Sequence, residues 1–417
     1  LRQEIFVNAV TPPFDYLSAE VLAHPFEAYQ HALASHPVYT VPRSGLTIVT
    51  GYALVAEATS RIDDFSNDFS AILAGTRSSD PDVTAILEQG WPQCNTLLTA
   101  DPPDHTRFRK LVNLAFSMKR VDALEAHMRG IVTGLIDEFI DQGRCEFVGQ
   151  FAMPLPVQMI SEQLGIDRTD FATVKRWSDA FVDRLGGMIS KERELECAAE
   201  VVEFQHALKG KIDARRVSPT DDLLSDLVNA KVDGERPLDD AELLSIIQQL
   251  MVAGNETTTS SLAGGLVQLI RNPDQANKVR ADSSLIRNMV EEVLRTESPT
   301  AGLWRVVRRD TELGGVPVKG GTMLMLRFAA ANRDPAKFDD PDRFDVERKN
   351  ANAHLAFGRG IHMCVGNMLS RKELAVAFDE LLKRLHRIEI VDDAAMIYPA
   401  NMLLRGLSAL PIRFEAR

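Results

Sequence analysis

One cysteine stands in a run of residues suited to a metal centre. The stretch Phe357-Gly358-Arg359-Gly360-Ile361-His362-Met363-Cys364-Val365-Gly366 sets three glycines and a histidine around Cys364, ahead of a long amphipathic segment with helical spacing. Gly358 and Gly360 can turn the chain through positive φ and let its backbone lie flat against a large group. Cys364 is then expected at a helix N-terminus, where free N–H groups and the helix dipole favour the thiolate, the form that ligates metal. Gly366 removes the next side chain that would crowd the sulfur. A lone cysteine after a glycine-rich turn is more often a small buried hydrophobe, so other parts of the chain must support the assignment.

A second candidate lies about a hundred residues earlier, in the proline-free stretch Asp239 to Arg271. As one helix, its roughly 33 residues would extend roughly 50 Å, enough to cross a domain. Its middle, Ala253-Gly254-Asn255-Glu256-Thr257-Thr258-Thr259, combines a glycine, a charge and three β-branched hydroxyl residues, which is poor helix chemistry. Rule-breaking inside an otherwise consistent element marks a functional site. Ala253 and Gly254 would let a flat cofactor or its gas ligand approach the backbone, and a threonine that bonds to its own helix loosens a turn. An ordinary amphipathic helix with a polar patch fits these residues equally well.

In Asp101-Pro102-Pro103-Asp104-His105-Thr106-Arg107-Phe108-Arg109-Lys110, Asp101 can cap a helix and His105 and Arg109 share one face, able to hold a carboxylate. Taken alone, this is more often a solvated basic face. Glu292 and Arg295 sit three apart on another helical segment, a pair worth ~1 kcal/mol or less if exposed.

The ten-residue cysteine run matches the Phe-x-x-Gly-x-His-x-Cys-x-Gly signature of the cytochrome P450 family, and the chain resembles a soluble bacterial member. The resemblance implies a mainly α fold with small β-sheets: one triangular, helix-rich domain over residues 1–417 with a long central helix. It makes Cys364 the axial thiolate of haem b iron, pushing electron density toward O–O cleavage. Ala253, Gly254, Glu256 and Thr257 match the family's Ala/Gly-Gly-x-acid-Thr, whose acid and alcohol deliver protons during oxygen activation. The family's His-x-x-x-Arg falls on His105 and Arg109, for one haem propionate. Arg305, before β-prone Val306-Val307, would serve the other, with His362 as a further donor, while Phe357, Gly358 and Gly366 complete the cofactor socket. Glu292 and Arg295 match the structural Glu-x-x-Arg brace, with Arg343 as its third partner.

The stretch Ser66 to Ala100, rich in Ser, Asp, Gly and Pro and without sustained periodicity, reads as a loop over a ligand pocket with Trp91, Leu97 and Leu98 as candidate contacts, a surface excursion being the alternative. The resemblance implies that Phe181, Val182, Met188 and Ile189 bracket a break in a mobile lid over the same pocket. Thr300 through Leu303 and the turn carrying Met402 and Leu403 would complete the lining, which is mainly apolar and has no carboxylate anchor. The family motifs run in their expected order from about residue 101 to 406.

Bulk composition agrees with a large enzyme. The chain has 417 residues, 45% of them hydrophobic, and a net charge of -12, which argues against a nucleic-acid binder. Cys94, Cys145, Cys197 and Cys364 are scattered, so neither a zinc module nor a disulfide framework is expected, and the compartment is read as reducing. Neither a signal peptide nor a membrane span is visible, and a cytoplasmic location is expected. Coarse patterning predicts a first helix from Ser18 to Ser35, then a hairpin of Val38–Val41 and Leu46–Thr50 around Pro42-Arg43-Ser44-Gly45. Successive helices follow between Lys119 and Arg216, with breaks near Gly143, Pro154-Leu155-Pro156, Gly165 and Gly186-Gly187.

The expected activity is that of a monomeric haem-thiolate monooxygenase using dioxygen to hydroxylate a terpenoid, steroid or aromatic compound. No flavin or nicotinamide region accompanies these motifs, so electrons would come from a ferredoxin and ferredoxin reductase, docking near Arg109, Arg359, Arg371 and Lys372. A peroxide-dependent peroxygenase needs no acid–alcohol pair, which Glu256-Thr257 disfavours. A haem-based sensor or carrier, or a cysteine hydrolase with Cys364 as nucleophile and His362 as base, are the remaining alternatives.

Overall fold

The computed structural model describes residues 13–42, 44–69, 80–166, 171–186 and 189–417. Its helices dominate, and its ten described strands are short: β1 Val38–Thr40, β2 Thr47–Val49, β3 Phe65–Ser66, β4 Arg144–Glu146, β5 Leu303–Val307, β6 Thr311–Leu313, β7 Val316–Val318, β8 Met323–Leu326, β9 Leu385–Ile390 and β10 Pro411–Ala416. They form sheets in the orders β1-β2-β8-β5-β3, β4-β10-β9 and β6-β7. The expected hairpin is β1–β2, antiparallel with Val38 opposite Val49.

Two local expectations change. The first helix is two, Ala19–Ala23 and Phe26–Ser35, because Pro25 has no N–H to continue the ladder and its ring blocks the preceding turn. The expected irregular loop from Ser66 to Ala100 contains a helix, Pro81–Leu87, begun by Asp80 accepting from the Asp82 N–H and by proline in the first turn. Residues 70–79 of that loop lie outside the described residues.

The central helix runs from Asp240 to Arg271, with Asp239 and Glu242 forming a reciprocal capping box. Glu242 also accepts from Arg107 at 2.8 Å and Arg236 at 2.5 Å, so the helix carrying His105 is pinned to the start of the central one. The two ends of the central helix serve different cores. Leu243, Ile247 and Met251 pack with Trp177, Phe181 and Phe204, whereas Leu262, Ala263 and Leu266 pack with Phe147, Phe151 and Phe378. Burying such side chains is worth about 1.5–3 kcal/mol each.

The brace at Glu292 and Arg295 lies on helix Ile286–Glu297 and both side chains are fully buried. Arg295 donates to both Glu292 oxygens, at 2.7 and 2.8 Å, and to the carbonyls of Asn332 and Pro341. Its third partner is Arg348, whose Nε donates to Glu292 Oε1 at 2.9 Å, and not Arg343. Arg343 is exposed and enters through its backbone carbonyl, which accepts from Arg295 and Arg348. Paired burial of this kind is required because an uncompensated charge would be costly there.

Candidate active site

A cavity of about 950 Å³ joins the cysteine loop to the middle of the central helix. The loop meets it with Gly358 at φ 67° and Gly360 at φ 75°. A Cβ on Gly360 would come within 2.8 Å of the Thr59 carbonyl, so this glycine is required by close approach as well as by conformation. The Cys364 N–H donates to the Phe357 carbonyl at 2.9 Å. Cys364 lies just ahead of helix Asn367–Arg384, whose N-cap is Gly366. Burial pushes its thiol pKa up, while the Gly366 N–H and the Arg109 and Arg371 charges pull it down. The helix-end effect is therefore present but smaller than desolvation, and a bound cation is what would favour the thiolate.

Beside this loop is a cluster rich in unspent donors and acceptors. The rings of His105, on helix Asp104–Ala115, and His362 lie 3.9 Å apart, and each has a buried Nε2 without a partner. His362 Nδ1 lies 3.2 Å from the Leu97 carbonyl, which can only accept. Burial lowers the pKa of His105 to about 4 and that of His362 to about 3. Arg305, on β5, is buried and has its pKa lowered by desolvation to about 10. It donates to the Trp304 carbonyl at 2.7 Å, and no described carboxylate forms an ion pair with it. Arg109 donates to the Met363 carbonyl at 2.9 Å. Cations and imidazoles left this way are costly, and anionic groups brought beside them would relieve the cost.

Across the cavity, Thr257 Oγ1 donates to the Ala253 carbonyl at 2.7 Å, and Ser261 donates to the Thr257 carbonyl at 2.8 Å. A Cβ on Gly254 would meet nothing within 4 Å, so this face of the helix is open. Glu256 is half-buried. Its pKa is raised by desolvation, with Lys175 lowering and Asp179 raising it. Behind these residues, Thr258 donates weakly, at 3.5 Å, to a buried Glu373 whose pKa is pushed up to about 8. Asn255 is buried with both side-chain polar atoms unpartnered.

Most of the expected residues share this one cavity: Arg109, Arg305, Phe357, Gly358, His362, Cys364 and Gly366 on one side and Ala253, Gly254, Glu256 and Thr257 on the other. Leu97, Leu98, Phe181, Val182, Ile189, Thr300, Leu303, Met402 and Leu403 line it too. Four do not, Ala301 and Gly302 of the Thr300–Leu303 run among them. His105 stands behind His362, and Trp91 is turned away from the lining, against His206 with ring centroids 5.2 Å apart. Both polar atoms of the Gln205 amide grip the Trp91 backbone, at 2.8 and 2.9 Å, which fixes the ring outside. Met188 lies outside the described residues. The expected docking charges are partly paired: Arg371 with Glu291, Lys372 with Glu125 and Asp122 at the surface, while Arg359 is exposed.

The family model for cytochrome P450 matches residues 157–406. The chain belongs to the cytochrome P450 family. A steroid C26-monooxygenase of Mycobacterium tuberculosis (strain ATCC 25618 / H37Rv) is 37% identical to it, over 96% of this chain and 95% of that protein. The 6-deoxyerythronolide B hydroxylase of Saccharopolyspora erythraea is 37% identical over 76% of this chain and 77% of its own length. Among solved structures, the P450 CYP109Q5 from Chondromyces apiculatus superposes with a TM-score of 0.85 at 34% identity, covering 97% of this chain and 98% of that one. This P450 is a monooxygenase that hydroxylates a hydrophobic small molecule. Family members bind haem b through a cysteine thiolate, and the residues present fit that group. The cavity offers a thiol for iron, and the orphaned imidazoles with the buried Arg305 and the half-buried Arg109 suit two propionates. No described helix is long and apolar enough to cross a membrane.

Proposed function

We propose that Cys364 would ligate the iron of haem b, that His105, Arg109, Arg305 and His362 would hold its propionates, and that Glu256 and Thr257 would supply protons from the central helix across the cavity. One observation carries this reading: a single continuous cavity bounded by Cys364, by the buried Arg305 and the half-buried His362, and by the open Ala253–Thr257 face. When bound, the haem supplies the oxygen chemistry itself. The protein's residues do the rest. Arg305 and Arg109 neutralise carboxylates that would otherwise be buried unpaired. A carboxylate beside His362 would also raise that imidazole's pKa and protonate its free Nε2.

Thr257 spends its hydrogen on the Ala253 carbonyl, so it must rotate to donate into the cavity. Glu256 keeps its proton to higher pH than an ordinary carboxyl because it is desolvated, which suits a group that hands protons on near neutrality. Gly254 leaves the space this exchange needs.

The substrate is a neutral, largely apolar molecule of steroid-like size. Arg109 and Arg305 belong to the propionate cluster, and Arg120 and Arg184, which also line the cavity, have partners of their own. A free carboxylate would therefore find no spare cation among these four; the fifth arginine of the lining, Arg359, is exposed on the cysteine loop. The steroid and macrolactone-type relatives support the same class. A ferredoxin and its reductase are the proposed electron source. The enzyme is read as a monomeric single domain in a reducing cytoplasm, in keeping with four unpaired cysteines.

The test is a carbon monoxide difference spectrum of the reduced, haem-loaded protein, followed by spin-state titration with neutral steroids and with fatty acids. A Soret band away from the thiolate-ligated position would sink the ligand assignment. Tighter binding of fatty acids than of steroids would refute the substrate class, and product formation with peroxide alone would favour the peroxygenase alternative.

A further inference from the structure

Behind the cavity wall, on the far side of Phe357, a chain of charged and amide groups reaches the backbone of the cysteine loop at Cys364. His354 is buried, and its Nδ1 accepts from the Ala356 N–H at 3.1 Å. That fixes the remaining hydrogen on Nε2, 3.1 Å from Glu291 Oε2. Arg371 closes on the same carboxylate with two bonds, Nε to Oε1 at 2.7 Å and Nη2 to Oε2 at 3.0 Å. Its other arm, Nη1, donates to Asn367 Oδ1 at 2.8 Å, and Asn367 Nδ2 donates to the Cys364 carbonyl at 2.6 Å. Each donor and acceptor along the path is used in one sense only, so the direction of every bond is determined.

Phe357 is caught in the same arrangement. Its ring lies under the Arg371 guanidinium at 4.4 Å and beside His354 at 5.7 Å. Its carbonyl takes the Cys364 N–H. The peptide groups on both sides of the cysteine Cα are therefore held, one through Phe357 and one through Asn367, and both holders rest on Arg371. Glu291 accepts three hydrogens, a load a carboxylate can carry and an amide cannot. Its pKa falls to about 2, although burial alone would raise it.

We propose that Glu291 is a positioning residue for Cys364, acting through Arg371 and Asn367 to fix the cysteine carbonyl and to hold a neutralised guanidinium behind the sulfur. The proposal rests on the reading of Cys364 as the haem ligand. It differs from the Glu292–Arg295–Arg348 brace, which is one residue away in sequence but faces Asn332, Pro341 and Asp345. A plain structural ion pair between Glu291 and Arg371 would contribute to stability and leave the sulfur unaffected. A positioning role must also move the electronic properties of the ligand.

The experiment uses haem-loaded wild type, Glu291→Gln, Asn367→Ala and the double variant, with reduction potential, reduced-CO Soret position and melting temperature read on each. Asn367→Ala cuts the chain next to the cysteine while leaving the Glu291–Arg371–His354 cluster whole, so it reports even if Glu291→Gln loads haem poorly. Glu291→Gln leaves a guanidinium unneutralised near the sulfur and should move the potential positive, raising the ferrous-to-ferric ratio at the wild-type midpoint on the order of threefold or more. Both single variants should lose the thiolate-type CO band faster than wild type. The double variant should shift no further than the larger single one, because both cut the same chain. Additive shifts, or a lower melting temperature with potential and CO band unmoved, would overturn the proposal. A wild type without the thiolate band would instead sink the ligand assignment on which it rests.

Discussion

Glu373 is a carboxylic acid kept neutral by its surroundings, and its replacement by glutamine should remove its share of the pH dependence of stability. It sits on the helix that follows the cysteine loop, 4% exposed, and its hydrogen-bond partner is Thr258 at 3.5 Å. No described cation pairs with it, and desolvation pushes its pKa from 4.5 to about 8. Because the folded value lies above the unfolded one, the native state binds the extra proton between these two pH values. Stability is then undiminished below about pH 4.5, falls as pH rises toward 8, and levels off once the folded group ionises. The slope between is about 1.4 kcal/mol per pH unit, and the full displacement corresponds to about 5 kcal/mol. Partial hydration of the ionised carboxylate would reduce that figure, since buried charges draw in water and relax their surroundings.

Glu373→Gln keeps the shape and an acceptor for Thr258 but cannot ionise. Guanidinium unfolding of the haem-loaded protein at pH 5, 6, 7 and 8, followed by circular dichroism and by the Soret band, gives the comparison. The variant should gain on wild type at each step upward in pH, by similar amounts from pH 5 to 7 and by less toward pH 8. Parallel stability curves across that range would show that Glu373 ionises normally and that its apparent isolation is wrong.

Other consequences are directly measurable. Arg348→Met should cost about 3–5 kcal/mol by leaving Glu292 undercompensated, whereas Arg343→Met, at an exposed side chain, should stay within about 0.5 kcal/mol; denaturant midpoints decide. Thr257→Ala should leave haem bound and divert reducing equivalents to peroxide, measured as NAD(P)H consumed per product formed with a ferredoxin and reductase supplied, and full coupling would count against the proton role. Gln205→Leu should release the Trp91 backbone, costing about 1–3 kcal/mol locally and raising the substrate dissociation constant in spin-state titrations; an unchanged constant would mean that the loop is held by its other fastenings.

The parts of the site that were legible in the sequence lie within single short segments. Gly358, Gly360 and Cys364 act through local backbone geometry, and Ala253 to Thr257 break helix chemistry over five consecutive residues. Pro25 and the Asp80-Pro81 start of a helix also carried local signals, a break and a cap, which should have divided the first helix and shortened the loop. Arg343 and Arg348 could not be told apart, because which arginine reaches Glu292 depends on how residues 339–348 wrap back onto helix Ile286–Glu297. Trp91 looked like a pocket aromatic until Gln205, on helix Lys191–Val217, turned it outward. Glu373 and Asn255 gave no signal, since an acid and an amide on helices are ordinary until tertiary packing removes their water.

One glycine that does no chemistry, Gly265, lets the helices that carry the two halves of the site cross closely. Central-helix residues Gly264 and Gly265 pack so closely on their neighbours that a Cβ would come within 2.6 Å of the Glu297 side chain at the first and 2.6 Å of Phe378 at the second. Phe378 belongs to the helix that begins just after Cys364. The same helix therefore carries the cysteine loop at one end and touches the central helix at a bare crossing further on. A larger residue at 265 must push the two helices apart or displace Phe378 from the core, at about 1–3 kcal/mol. Either movement alters the register between Cys364 and Thr257. Gly254 opens the central helix toward the cavity and Gly265 closes it onto the core, so one element uses the same residue type to make room on one face and to remove it on another.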